Sequence, residues 1–142
     1  MGDLVFDGRF HPFERTVLEG VYLALPEPTG AKFAAQVRCI NKIQRLLDWR
    51  EIEFYAMRWF KVTWPPELLF DEKGEFSLAR VLLDVDRKTQ VLDVYSVGGH
   101  VFSIESDRPM KPLKGIAAST MSVAVMPTTA SDSERSPSRP QS

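Results

Sequence analysis

Cysteine is nearly absent from this chain of 142 residues, where Cys39 stands alone. A single thiol forms no intramolecular disulfide and builds no cysteine-based metal cage within one chain, which agrees with a reducing compartment. Histidine is almost as scarce: His11 and His100 lie far apart, and neither has a second ligand at helical or strand spacing. No metal or cofactor is expected from such a set. The phosphate-cradling patterns G-x-x-x-x-G-K-[ST] and G-x-G-x-x-G are both missing, which removes the commonest nucleotide-binding loops. No apolar run approaches the roughly 18 residues of a membrane span. Asp3 and Asp7 stand where a signal peptide carries positive charge. A cytoplasmic protein without a membrane partner is the expectation.

What the chain does have is an ordinary apolar fraction, 44%, with nine Phe, three Trp and three Tyr, enough for a packed globule. Its formal charge of −1 conceals two blocks of opposite sign. From Lys32 to Lys61 there are seven basic residues against three acidic, and from Glu67 to Asp107 nine acidic against four basic. Such blocks either neutralise each other across a fold or mark two surfaces of different potential.

The organisation follows from periodicity. Phe13, Val17, Val21 and Leu25 recur every four residues behind Pro12 and Glu14, which predicts a helix over about 12–25, stopped by Pro26 and Pro28. Phe33, Val37 and Ile40 predict a second helix ending near Asn41, although the stripe can also be continued through Ile43 and Leu47 to Trp49. From Ile52 to Phe60 aromatic and β-branched residues on both faces read as a central strand. The clearest dyad repeat runs from Phe76 to Asp86, turns at Arg87-Lys88-Thr89 and returns from Val91 to Val97. Gly98-Gly99 then leads to a short strand from Val101 to Glu105. Beyond Gly115 the chain turns Ser-, Thr-, Ala- and Pro-rich, and reads as a disordered tail. Within it, Met121 to Met126 is a short apolar segment, either idle or able to add to a sheet edge. The expected fold is therefore α+β: a domain over 1–114 with two N-terminal helices packed on an antiparallel sheet of three to five strands, then a flexible tail over 115–142. Phe13, Val17, Val21, Phe33, Val37, Phe54, Val81, Leu83 and Val94 are its expected core.

No group of residues announces a reaction. His100 follows two glycines at a strand end, where active-site residues occur, but no nucleophile partner is identifiable. His11 would cap or pack against the first helix. Asp84, Asp86 and Asp93 either share a divalent cation across the hairpin or decorate a solvated face with Arg80. Cys39 beside Arg38 is either a thiol activated by a cation or an inert, buried one. Glu51 and Glu53 share one face of a strand, as a carboxylate pair for acid and base work or as partners of Arg50 and Arg58.

The order of Pro12-Phe13-Glu14-Arg15 with Leu18, Gln36-Val37, the hairpin from Val81 to Tyr95 and Gly98-Gly99 resembles small bacterial α+β proteins. These begin with a Pro-Phe-Glu-Arg helix and finish a small antiparallel sheet with a Gly-Gly pair. The resemblance covers about residues 11 to 110 and departs at Asp48 to Glu53, where a glycine-rich bend would be expected. It implies a fold and a bacterial-type cytosolic setting, and no activity or functional residue.

With no nucleophile set, phosphate loop or ligand cluster, the leading expectation is a non-enzymatic protein-interaction module. It would be an accessory or immunity-type partner using its aromatic rim: Trp49, Arg50, Tyr55, Trp59 and Trp64. The alternative is a nucleic-acid or small-ligand binding domain using the basic block Arg38, Lys42 and Arg45. A hydrolase built on His100 comes third.

Overall fold

In a computed structural model, residues 4–128 are described. Helix α1 spans Pro12–Ala24 and α2 spans Thr29–Cys39. Pro12 fills the first turn of α1, where no hydrogen bond is lost, and Glu14 accepts the His11 backbone N–H at 2.7 Å. The second helix ends at Cys39, and the chain becomes extended at once as strand β1, Lys42–Leu46.

Among the described residues seven further strands follow: β2 Glu51–Tyr55, β3 Met57–Arg58, β4 Lys61–Val62, β5 Phe76–Val85, β6 Lys88–Val97, β7 His100–Ser106 and β8 Met121–Pro127. Of these eight strands, six form one antiparallel sheet in the order β1-β2-β7-β6-β5-β8, while β3 and β4 pair with each other. The sheet thus exceeds the three to five strands expected. The additional strand is β8, whose residues Val81↔Val125 and Leu83↔Val123 lie in register with β5. Residues 115–128 are accordingly part of the fold rather than a flexible tail, and 129–142 lie outside the described residues. The physical reason is local: Met121, Val123 and Val125 alternate inward and pack on the core, while Ser122, Ala124 and Met126 face outward. Gly20 permits this docking, since a Cβ there would stand 2.9 Å from a methyl of Val123.

The expected core residues all prove fully buried, and Leu18, Ile52, Leu92 and Ile104 join them. Both helices pack on the face that carries these residues. Among the described residues no helix covers the opposite face, which carries Lys42, Gln44, Glu51, Glu53, Asp93 and Glu105 by register. The β5–β6 hairpin turns at Asp86-Arg87, both at positive φ (53° and 68°), one step earlier than the expected Arg87-Lys88-Thr89. No helix among the described residues is long and apolar enough to cross a membrane.

Candidate functional site

The segment after β2 does not continue as a central strand. Met57 pairs with Val62 and Arg58 with Lys61, so the chain reverses over Trp59 and Phe60 in a two-residue turn. Both turn residues adopt positive φ, 54° and 66°. Tight hairpins require that geometry and ordinarily meet it with Asn-Gly or Asp-Gly. For residues as bulky as Trp and Phe it costs on the order of 1–2 kcal/mol each. Neither ring recovers this by burial, because Trp59 is 82% and Phe60 97% exposed. The base of the hairpin is held firmly. Asn41 clamps the Met57 backbone from both sides, its Oδ1 accepting the N–H at 2.8 Å and its Nδ2 donating to the carbonyl at 2.9 Å. Thr63 N–H closes on the Ala56 carbonyl at 2.7 Å. A fixed base thus presents two free aromatic rings with a cation on either side.

Next to this hairpin lies the helix-free face of the sheet. Glu51 of β2 stands directly opposite Glu105 of β7, and Glu105 opposite Asp93 of β6, so three carboxylates share one row across three strands. Like charges placed this way destabilise a sheet. Arg80 of β5 continues the row and binds Asp93 at 3.0 Å. Burial, together with Asp93 and Glu53, pushes the Glu105 carboxyl above its usual range, against the pull of a Ser103 hydroxyl donating to it at 2.9 Å. Burial and neighbouring carboxylates also push the phenols of Tyr55 and Tyr95 up to about 12. Tyr55 donates its hydroxyl to Glu53, meets Phe102 edge-on at 5.9 Å, and carries the Lys42 ammonium 5.7 Å from its ring centre. The face is therefore acidic, rimmed by aromatics, and already holds one cation over a ring.

The other candidate residues fall elsewhere. Trp49 is half-buried, lies near the Phe13 and His11 rings at 6.4 and 5.3 Å, and has the Arg45 guanidinium 4.9 Å above it. It is a packing residue. Arg45 is not a free cation: it forks onto the fully buried Glu14 at 2.9 and 2.8 Å and also donates to the Arg9 carbonyl. Removing one partner of such a pair leaves an uncompensated buried charge, so Arg45 serves the fold and leaves the expected nucleic-acid set. Arg38 and Lys42 remain exposed. Arg50 is exposed too, but at the end of β2 away from the hairpin.

Trp64 stacks on His100 with ring centres 4.3 Å apart. Burial lowers the His100 pKa, and its Nδ1 lies 3.1 Å from the Val101 carbonyl oxygen; among the described residues the ring makes no hydrogen bond to a carboxylate. The turn before it is locked by the buried Gln36, which donates to the Leu68 and Gly99 carbonyls at 2.7 and 3.1 Å and accepts the Val101 N–H at 2.8 Å. Gly99 is required here, since a Cβ would meet Leu69 and Phe70 at 3.1 Å in a backbone of φ 91°. His11 has its pKa lowered chiefly by burial. In the β5–β6 hairpin, Asp84 accepts the Thr89 hydroxyl while Asp93 is tied to Arg80, four ladder positions away. At about 3.4 Å per residue that distance is too great for a shared cation, and no metal-competent cluster exists among the described residues. Burial raises the Cys39 thiol pKa despite Arg38, the opposite of activation.

Two grooves on the surface are mostly apolar. The larger, about 550 Å³, lies between the α1–α2 connection and the start of β5, lined by Leu25, Pro28, Phe70, Phe76 and Leu78. Its one cation among the described residues, Lys32, already donates to the Leu69 carbonyl at 2.9 Å, and Glu27 accepts the Ala31 N–H in the first turn of α2.

The hairpin was not legible as a turn because Trp-Phe carries no turn signal. A signal did exist: Met57-Arg58-Trp59-Phe60-Lys61-Val62 reads as mirrored apolar, basic and aromatic pairs. Comparison with known proteins returns no matching family model, no matching curated protein and no matching solved structure.

Proposed function

We propose that this chain is a non-enzymatic protein-interaction module, an accessory or immunity-type partner, anchored by the Trp59–Phe60 tip. One observation carries the reading: two aromatic rings, 82% and 97% exposed, on residues with positive φ in a turn whose base is clamped. Local strain retained without a folding benefit points to a use outside the fold. Trp flanked by Arg is the composition that dominates interface energies. Because the base is held by Asn41, little ordering is left to do on binding.

A photo-crosslinking side chain at position 59 tests this, with the same group at Leu23, an exposed position on α1, as the control. The expected result is a protein adduct at 59 and none at 23, suppressed by excess unmodified chain but not by the Trp59→Ala/Phe60→Ala variant. Equal adducts at both positions would overturn the proposal. An adduct that nuclease removes would transfer the tip to the alternative, a nucleic-acid surface made of Arg38, Lys42, Arg58 and Lys61 without Arg45.

A further inference from the structure

We propose that the outer edge of β8 is a self-association surface, on which a second copy of the chain adds its own β8 antiparallel across a two-fold axis centred on Ala124. The inference makes no use of Trp59–Phe60 and stands apart from the reading of that tip.

β8 ends the sheet order, and among the described residues no strand lies beyond it. Its pairing with β5 decides which of its backbone groups face away from the sheet. Thr128 donates its N–H to the Leu78 carbonyl at 3.0 Å, and the register continues through Met126↔Arg80, Ala124↔Leu82 and Ser122↔Asp84. Hydrogen-bonded and non-bonded pairs alternate along an antiparallel ladder, so the even-numbered residues of β8 direct their N–H and C=O groups to β5. The odd-numbered ones direct theirs to the open edge. Of these, Met121 already donates its N–H to the Ala118 carbonyl, and Pro127 has no N–H to give. Two edge donors remain, Val123 and Val125, and their own carbonyls point the same way.

These groups complement their own copy. With Ala124 opposite Ala124 of a second chain, Val123 of each faces Val125 of the other, every edge donor meets a carbonyl, and all of Met121–Pro127 is paired. The side chains agree with the backbone. Val123-Ala124-Val125 reads the same in both directions, and no charged residue occurs between Lys114 and Asp132. Sheet edges are ordinarily guarded by charges, a proline or a bulge, and the opposite edge of this sheet, β1, carries Lys42 and Arg45. From Met121 to Met126 β8 has no such guard. An edge that is two-fold symmetric in both hydrogen bonds and side chains selects its own copy, and the assembly closes at two. The edge is only about 24 Å long at 3.4 Å per residue, which covers less than the roughly 1,000 Å² of a stable interface. The expected dimer is therefore weak, reversible and, lacking charged pairs, indifferent to salt.

Sedimentation velocity and amide hydrogen exchange on the full chain, from low micromolar to millimolar concentration, test the proposal. Exchange at Val123 and Val125 should slow as the dimer forms, while Ala124, already bonded to β5, stays protected throughout. Trp59→Ala/Phe60→Ala should dimerise as wild type does. The decisive arm places charge at the axis, on a side chain that is exposed in the single chain. Ala124→Lys and Ala124→Glu each set like charges directly opposite one another and should weaken dimerisation by about tenfold or more. Mixed, the two variants should dimerise with each other, and Ala124→Ser, which adds no charge, should match wild type in both Tm and dimerisation. A wild type that stays monomeric at millimolar concentration would overturn the proposal, as would a mixture no more dimeric than its components. Protection of Val123 and Val125 that is independent of concentration and lost in a chain ending at Thr128 would give the edge to residues 129–142 and overturn it equally.

Discussion

Glu105 shows how one residue records the character of a whole face. It stands between Glu51 and Asp93 in the ladder, and burial and its acidic neighbours hold its pKa above the ordinary 4.5. A raised folded-state pKa means that the native chain binds this proton more readily than the unfolded chain does. The ionised form therefore opposes folding at neutral pH, and that opposition fades as the pH falls through the raised value and is gone below 4.5. Glu105→Gln, which can still accept from Ser103, should raise Tm at neutral pH. The advantage should close as the pH is lowered below 4.5, read by thermal melts of the two proteins in parallel. His11 and His100, whose lowered pKa values make acid destabilising as the pH drops from 6.5, act equally in both and cancel from the difference. A Glu105→Gln variant less stable than wild type at neutral pH would remove the claim that the row is repulsive.

At the scale of elements, the β3–β4 hairpin separates stability from use. Replacing its turn with the pair that the geometry favours, Trp59→Asn/Phe60→Gly, keeps the backbone and removes strain of about 1–2 kcal/mol per residue. Urea denaturation should show the variant more stable by roughly 1–3 kcal/mol with an unchanged m-value, while in excess it no longer suppresses the adduct formed by a crosslinker at position 59 of the wild-type background. A destabilised variant would mean that the rings hold the fold. The same hairpin marks where local patterns stop being informative. Both helices and the β5–β6 ribbon were legible because Phe13, Val17 and Val21, or Val81 and Leu83, repeat at one period with a wet face opposite. Trp59 was legible as an aromatic, yet its exposure depends on a turn that no turn residue announces. Arg45 was misjudged for a related reason: by alternation it shares the inward face with Ile43, but its partner Glu14 lies 31 positions away on α1, a pairing that only tertiary contact reveals.

For the molecule as a whole, the fold continues past the expected boundary at Lys114, because β8, Met121–Pro127, belongs to the sheet. Composition placed the end of the domain where Ser, Thr and Pro become frequent, because a short alternating strand such as Met121–Pro127 carries too little apolar area to stand out alone. It is stable only through what it covers: the α1 surface at Gly20 and the edge of β5. Without β8 that edge presents its unpaired backbone groups from Ala79 to Val85, and α1 loses the cover of Val123 and Val125. Fully burying a Val or Met contributes about 1.5–3 kcal/mol, and Met121, Val123 and Val125 are partly buried, so losing β8 should remove several kcal/mol from a total that is ordinarily about 5–15. A chain ending at Thr128 retains the whole of β8 and serves as the reference. One ending at Gly115 should melt many degrees lower and self-associate irreversibly through the bare β5 edge. Equal melting of the two truncations would return β8 to the status of an ornament and move the domain boundary back to Gly115.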